Sequence, residues 1–394
     1  MTTGRPDGGW LRLRDAMAAR VAHGDLPGLV MLLARGDDVR VEAIGTFAVD
    51  GGAPMRRDTL FRIASLTKPI VAAAALALVE DGALDLAEPV DRLLPELAGR
   101  RVLARVDGPV EETVPARRPI TVEDLLTYRM GFGILTEPTF DPPFPIVAAS
   151  GALDLTLGPP DPRTPYAPDE WLRRFGTLPL MYQPGERWLY NASGLVLGVL
   201  VARAGGGSLG DVLRTRIFAP LSMVDTGFAT TRANLARLPV PYMSDFQGGP
   251  LQAQTTTPPE AWTEPPVFPS GAGGLLSTVD DFFAFTRMLR AGGPPVLSPE
   301  SVAALTTNHL TAAQVATAGV LLEPQGWGYG LAVAAAPDEF SATPGRYGWD
   351  GGSGCVWFTD PHRDVTAIAL TQTSDFLFDG GRAEFTRLAL SAVD

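Results

Sequence analysis

The chain has 394 residues, 45% hydrophobic and 19% charged, which is enough to bury a large core in one or two domains. Its 44 acidic and 32 basic residues give a net charge of −12 with no basic block, which argues against a nucleic-acid partner or an anionic membrane surface. One cysteine and three histidines exclude a disulfide framework and argue against a metal site, so we expect no metal and no other cofactor.

The pattern of apolar residues predicts strands at both ends of the chain and helices in the middle. Charges at helical spacing predict an amphipathic first helix, which lacks an apolar run of signal-peptide length. A later helix over 65–81 ends at Gly82, a residue typical of helix C-caps. The other predicted helices are 121–128, 169–175, 193–204, 209–218, 278–290 and 381–391. The predicted strands are 28–35, 39–49, 328–335, 354–359 and 365–371.

This order predicts an α+β fold with one antiparallel sheet built from both chain ends and flanked by helices. We expect residues 1–70 and 265–394 to form the sheet domain and residues 71–264 to form an inserted, mainly helical subdomain. The site would lie between them in a single catalytic unit. The longest apolar run, 70–79, is too short to span a membrane, so we expect a soluble, cytoplasmic protein. The sequence does not indicate an oligomeric state.

Two proline-rich stretches interrupt the helical middle. Residues 138–168 contain nine prolines and residues 250–269 contain six. Long stretches without regular structure are commonly functional lids or disordered segments. We therefore hypothesise that both stretches cover the pocket and set the size of the substrate.

The distribution of basic residues singles out one position. Lys68 is the only lysine among the 32 basic residues, so the other 31 are arginines. An arginine never loses its proton in a protein, whereas a lysine ammonium can. The retained lysine is therefore a candidate for proton transfer.

Ser65 precedes this lysine by three residues, and residues three apart share one face of a helix. Burial would lower the pKa of Lys68 and make it a usable base for the Ser65 hydroxyl. With 14 serines in the chain, this spacing would arise by chance about one time in thirty, so a coincidence stays open.

Several spaced segments resemble the serine β-lactamase and penicillin-binding-protein superfamily, and in particular its class C β-lactamase-like (family VIII) carboxylesterases. The segments are 59–68 (TLFRIASLTK), 120–127 (ITVEDLLT), 184–194 (PGERWLYNASG), 220–228 (PLSMVDTGF), 270–278 (SGAGGLLST) and 348–352 (GWDGG). The resemblance runs over nearly the whole chain. It implies a β-lactamase/transpeptidase-like fold and a small-molecule ester as substrate.

The resemblance also implies roles for individual residues. Ser65 would be the nucleophile, Lys68 its partner, and Tyr190 a phenol that loses its proton easily beside the ammonium. The backbone amides of Ser65 and Gly352 would form the oxyanion hole. Trp349 would form an apolar wall of the pocket. Taken alone, Tyr190 is better explained as a core aromatic residue at the start of a helix. For Trp349, a packed core tryptophan is the alternative that stays open.

Two departures from the family pattern bear on the substrate. Ala192 stands where the family has an asparagine, and Asn191 lies one place earlier. The third motif reads Trp349-Asp350-Gly351, without the lysine that holds a substrate carboxylate in β-lactamases. Asn191 and the three residues of this motif are the candidate substrate-binding residues. Within the motif, the negative charge of Asp350 would repel a substrate carboxylate. We therefore expect neutral or cationic esters.

The sequence leaves other activities open. A β-lactam or amide hydrolase (of β-lactamase or D-aminopeptidase type) and an acyltransferase would use the same acyl-enzyme on Ser65. A penicillin-binding sensor, which is acylated without turnover, is the candidate that is not an enzyme.

Overall fold

A computed structural model describes residues 8–135, 143–158, 164–245, 249–322 and 324–393 of the protein. The predicted α+β class is confirmed. Within these ranges, eight antiparallel strands form one large sheet, and terminal helices pack on it.

The sheet is built from both ends of the chain, as predicted. Strand Gly28–Arg35 pairs with strand Val365–Thr371, so that Leu29 lies opposite Thr371. Across the sheet the strands follow the order Gly326–Trp327, Ala332–Val333, Tyr347–Gly351, Cys355–Asp360, Val365–Thr371, Gly28–Arg35, Asp38–Ala48 and Gly51–Pro54. Shorter strand pairs join Phe61–Arg62 to Leu276–Ser277, Arg101–Leu103 to Thr113–Pro115, and Tyr242–Met243 to Gln252–Ala253.

Both faces of strand Gly28–Arg35 are buried because its side chains alternate between two cores. Val30 and Leu32 belong to the main core, which includes the apolar helix Thr67–Glu80. Met31 and Leu33 belong to a second core, which the terminal helices cover. This explains why the strand reads as a nearly continuous apolar run.

The described α-helices are Gly8–His23, Thr67–Glu80, Val122–Leu126, Pro145–Ala152, Pro168–Phe175, Ala192–Gly205, Leu209–Leu213, Ala219–Leu221, Val279–Arg290, Pro299–Leu305, Ala312–Ala316 and Gly381–Ser391. Most begin or end within two residues of the predicted bounds. The strands of the large sheet all fall in residues 28–54 and 326–371. The proposed domain boundaries near residues 70 and 265 stay a prediction.

The strand prediction for residues 328–335 is wrong. The chain forms two short antiparallel strands there, Gly326–Trp327 and Ala332–Val333, and turns between them at Gly330 with a φ of +73°. A Cβ at Gly330 would lie 2.9 Å from the carbonyl oxygen of Lys68, so the turn packs directly on the helix that carries Lys68. The strands Gly51–Pro54 and Tyr347–Gly351 were not predicted, because both contain glycines that weaken a strand signal.

Two helix predictions need correction. Ser65 lies in a 3₁₀ turn, Ala64–Leu66, and the α-helix begins only at Thr67. The helix predicted over 209–218 is α-helical to Leu213 and continues as a π-helical turn, Arg214–Phe218.

The proline-rich stretches contain more regular structure than the sequence indicates. The first includes helix Pro145–Ala152, although 136–142 and 159–163 lie outside the described residues. The second stretch contains the short strand Gln252–Ala253 and a 3₁₀ turn, Pro259–Thr263. Further along it, Phe268 packs on Trp171 with ring centroids 5.1 Å apart. Their role as lids stays a hypothesis.

We find no single helix, in the part of the chain that the structure describes, that is long and apolar enough to cross a membrane. The helical segments Ala192–Gly205 and Leu209–Leu221, which meet at an angle of 72°, are together long and apolar enough for a membrane span. Length and composition are the only features that suggest one.

Candidate active site

The backbone places Ser65 and Lys68 side by side. Ala64, just before Ser65, has a φ of +45°, a left-handed conformation that is unfavourable for a residue with a Cβ. Strain of this kind persists where the surrounding structure fixes the backbone, and it is common at functional sites. The Nζ atom of Lys68 lies 2.8 Å from the Oγ atom of Ser65.

Lys68 is a buried amine with a second polar contact. Its side chain is only 1% exposed, and its Nζ donates to the carbonyl oxygen of Ala272 at 2.6 Å. Burial lowers the pKa of Lys68 well below its usual value. No ion pair with a carboxylate offsets this effect among the residues described. The lysine is therefore poised to be a neutral amine that can accept a proton from Ser65.

Tyr190 completes the set of polar contacts to Ser65. Its hydroxyl donates to the Ser65 Oγ at 2.8 Å, and the Lys68 Nζ lies 4.5 Å from the centre of its ring. Burial raises the pKa of Tyr190 to about 12, although hydrogen bonds with Ser65 and Trp349 partly oppose this shift. The prediction that this phenol loses its proton easily is therefore wrong, because burial outweighs its polar neighbours. Tyr190 is instead a proton donor at neutral pH.

Trp349 makes a polar contact that the sequence did not indicate. Its Nε1 donates to the Tyr190 hydroxyl oxygen at 3.0 Å, and its ring packs edge-on against Trp327, with centroids 4.8 Å apart. Because the phenol oxygen accepts from Trp349, its own proton is directed to Ser65. Trp349 thus orients the phenol as well as bordering the site.

The strand that carries Trp349 lies close to the serine. A Cβ at Gly351 would come within 2.4 Å of the carbonyl oxygen of Ile63, so only glycine allows this approach. The next residue, Gly352, has open space where its Cβ would be. The oxyanion hole expected from the amides of Ser65 and Gly352 stays a prediction.

The role expected for Asp350 is contradicted. Adjacent residues of a strand point to opposite faces, so Asp350 points away from Trp349 and the site. Its Oδ2 lies 2.6 Å from the Nε of Arg382 on the C-terminal helix. Burial raises the pKa of Asp350, and Arg382 partly opposes that shift. The paired carboxylate therefore does not present its charge to a substrate at the site.

Asn191 shapes the loop that holds Tyr190. It has a φ of 78° and a ψ of −53°, and the Ala192 amide donates to the Tyr190 carbonyl oxygen at 3.1 Å, which defines a strained γ-turn. Its Nδ2 donates to the carbonyl oxygens of Leu157 and Gly158 at 2.6 and 3.2 Å. The predicted contact of this amide nitrogen with substrate is therefore replaced by two contacts to the backbone.

Sequence reasoning missed several residues that support the site. Ala272 supplies the carbonyl to Lys68, and Gly271 permits it because a Cβ there would lie 2.3 Å from the Gly194 carbonyl oxygen. Gly271 thus allows a close approach of two backbone segments beside the site. An aromatic cluster was not predicted, since its members are far apart in sequence. It consists of Tyr128, Trp188, Tyr190, Trp327 and Trp349.

The described ranges contain no group of three or more His, Cys, Asp or Glu side chains placed to hold a metal ion. The chemistry of the site is that of a hydroxyl, an amine and a phenol.

The fold and this site define a protein of the serine β-lactamase and penicillin-binding-protein class. A family model described as Beta-lactamase matches residues 13–391, so the chain belongs to the β-lactamase family. The predicted resemblance, including that to the esterase branch, is confirmed.

Individual relatives agree with this membership. The chain is 36% identical over 380 residues to Protein Rv1367c of Mycobacterium tuberculosis, covering 93% of this chain and 90% of the relative. It is 34% identical over 370 residues to Esterase EstB of Burkholderia gladioli, covering 89% of this chain and 86% of the relative. Among solved structures, EstCE1, described as a hydrolase with promiscuous acyltransferase activity, matches with a TM-score of 0.79 at 24% identity, covering 98% of this chain and 99% of that chain.

Proposed function

We propose that this protein is a serine hydrolase that cleaves carboxylic esters through a covalent acyl-enzyme on Ser65. The observation that carries the proposal is that the Ser65 Oγ lies 2.8 Å from both the Lys68 Nζ and the Tyr190 hydroxyl. A hydroxyl that contacts a buried amine and a phenol can lose its proton to the amine as it attacks a carbonyl.

In the acylation step, the Ser65 proton moves to the neutral Lys68 amine while Oγ bonds to the ester carbonyl carbon. The carbonyl electron pair moves to its oxygen, which the amides of Ser65 and Gly352 stabilise. Preorganised amides of this kind each contribute about 3–4 kcal/mol to the transition state. Collapse of the intermediate breaks the bond to the alcohol oxygen and leaves the acyl group on Ser65.

Proton transfer to the leaving alcohol uses the second partner of Ser65. The departing alkoxide takes the Tyr190 proton, and the phenolate is restored by the proton that Lys68 received. Water then attacks the acyl-enzyme and gives one proton to Lys68. As the acyl–Oγ bond breaks, the Ser65 Oγ takes the Tyr190 proton, and Lys68 returns its proton to Tyr190, which leaves the carboxylic acid and free Ser65. Each cycle therefore consumes one ester and one water and returns every side chain to its starting protonation state.

Support for ester hydrolysis also comes from the relatives. EstB, which is an esterase, is similar over most of both chains. A tryptophan stands where β-lactamases have the lysine that holds a carboxylate, which supports ester substrates without that group. The Asp350 charge no longer supports this choice, because Asp350 is paired with Arg382.

An acyltransferase is the second candidate, because an alcohol can attack the same acyl-enzyme in place of water. The description of EstCE1 as a hydrolase with promiscuous acyltransferase activity favours this candidate over a β-lactam hydrolase or a sensor. The cytoplasmic location stays a prediction.

The proposal is tested by parallel assays of a p-nitrophenyl ester and a chromogenic cephalosporin, with wild type and Ser65→Ala. We expect turnover of the ester by wild type alone. Rapid turnover of the cephalosporin with none of the ester would overturn the ester assignment in favour of a β-lactamase. Stoichiometric labelling without turnover would instead identify a sensor.

A further inference from the structure

A cleft of about 1190 Å³ lies on the helical part of the molecule, and none of its lining residues is Ser65, Lys68 or Tyr190. Its walls are the second half of helix Ala192–Gly205, helix Leu209–Leu213, and the segments 167–169, 218–229 and 265–269. Known small-molecule pockets have volumes of about 300–1,000 Å³, so this cleft is large enough for a ligand of drug size.

The floor of the cleft is apolar. Val199, Leu209, Phe218, Met223 and Phe228 line it, and each is buried in the core of the helical part. The apolar character extends to the surface, because Val224 and Val267 also line the cleft and are 86% and 54% exposed. Exposed apolar side chains beside a concave, apolar floor are typical of a ligand-binding groove or an interaction surface. The depth and volume of the cleft favour a small molecule.

The charged groups of the cleft are already neutralised. Arg203 pairs with Glu96 and Asp169 at 2.7 and 2.8 Å. Arg214 pairs with Asp211 at 3.2 Å. The charged residues in the lining are Asp169, Arg203, Asp211 and Arg214, two positive and two negative, and Glu96 lies outside it. The lining therefore carries no net charge, which favours an uncharged occupant.

The cleft is separated from the catalytic groups by backbone contacts. Gly198 lines the cleft and packs on Gly271, and a Cβ at Gly198 would lie 2.8 Å from the Gly271 nitrogen. Ala272, next to Gly271, holds the Lys68 Nζ. A ligand in the cleft therefore cannot reach Lys68 through this contact, which indicates a separate site.

From these observations we infer that the cleft is a second binding site, which takes a neutral, mainly apolar small molecule. The inference does not depend on the reaction at Ser65.

The experiment measures binding of the neutral fluorophore N-phenyl-1-naphthylamine to the full chain. Charged residues at the mouth should disfavour an apolar ligand, so we compare Val224→Asp/Val267→Asp with wild type. Both valines are exposed, so the double variant should fold. The matched control is Val320→Asp, since Val320 is 88% exposed and does not line the cleft. We expect saturable binding to wild type and to the control, and a dissociation constant about tenfold higher in the double variant.

A second pair of variants tests the interior. Ala202 lines the cleft, whereas Ala204 lies on the same helix outside its lining. Ala202→Phe should abolish binding of the fluorophore and Ala204→Phe should not, with thermal unfolding used to confirm that both variants are folded. Binding that is absent from wild type, or equally tight in all variants, would overturn the inference.

Discussion

At the scale of single residues, the reaction proposed at Ser65 depends on the protonation states of Lys68 and Tyr190. Burial lowers the pKa of Lys68, which favours the neutral amine, and raises the pKa of Tyr190, which favours the protonated phenol. In the proposed reaction, Ser65 then has a base on one side and a proton donor on the other.

The first prediction concerns the charge of Lys68. Lys68→Arg replaces an amine that can be neutral with a permanent cation, so kcat/KM for a p-nitrophenyl ester should fall by about 10²–10⁴-fold. Steady-state kinetics would measure this loss. Normal activity in Lys68→Arg would mean that Lys68 is not the base.

The pH profile tests the same assignment in the wild-type protein. Only deprotonated Lys68 can accept the Ser65 proton, so kcat/KM should rise with pH through the lowered pKa of Lys68 and then level off. Because the pKa of Tyr190 is about 12, the phenol stays protonated over this range. The plateau should be reached below about pH 10.4, where an ordinary lysine titrates. A rate that still climbs above that pH would contradict a buried, neutral Lys68.

Trp349 should act as a positioning residue. Trp349→Phe keeps an aromatic ring but removes the donor to the Tyr190 hydroxyl, so kcat should fall about tenfold, the equivalent of one hydrogen bond, with little change in KM. Trp357→Phe is the matched control, because the Trp357 Nε1 donates to Thr359 and makes no contact with Tyr190. Equal effects of the two substitutions on kcat would show that Trp349 acts only through packing.

At the scale of elements, the position of strand Tyr347–Gly351 sets the geometry of the site. The strand places Trp349 on the side of Tyr190 and Asp350 on the side of the C-terminal helix. Its last residue, Gly351, allows the strand to approach the turn that carries Ser65.

Gly351→Ala should separate these elements. The added Cβ would meet the Ile63 carbonyl oxygen at 2.4 Å, so the strand must shift and kcat/KM should fall by about 10²-fold. Gly151→Ala is the control, because nothing lies within 4 Å of its Cβ position on helix Pro145–Ala152. Full activity in Gly351→Ala would contradict the close approach of strand and serine.

Asp350→Asn tests the orientation of that side chain. Loss of the ion pair with Arg382 should lower the free energy of unfolding by about 1 kcal/mol, since the pair is partly exposed. The ratio of kcat/KM for a neutral ester to that for an anionic ester should not change. A large gain in activity toward anionic esters would show that Asp350 does face the substrate.

At the scale of the whole molecule, the fold and the proximity of Ser65, Lys68 and Tyr190 could be predicted from sequence. The apolar runs of 28–35 and 365–371 and the spacing of Ser65 and Lys68 are local signals. The contacts of Ala272 with Lys68 and of Trp349 with Tyr190 leave no local signal in the sequence, because they join residues about 160 to 200 positions apart. The protonation state of Tyr190 also has no local signal. The motif predicts a phenol beside an ammonium, whereas the burial that raises the pKa of Tyr190 arises only in the folded chain.

Labelling with a fluorophosphonate probe, followed by mapping of the labelled peptide, tests whether Ser65 is acylated with Lys68 as its base. We predict one label per chain, on Ser65, in wild type. Ser65→Ala should abolish labelling, Lys68→Arg should nearly abolish it, and Tyr190→Phe should reduce it. Labelling at another residue, or undiminished labelling of Ser65→Ala, would contradict the account.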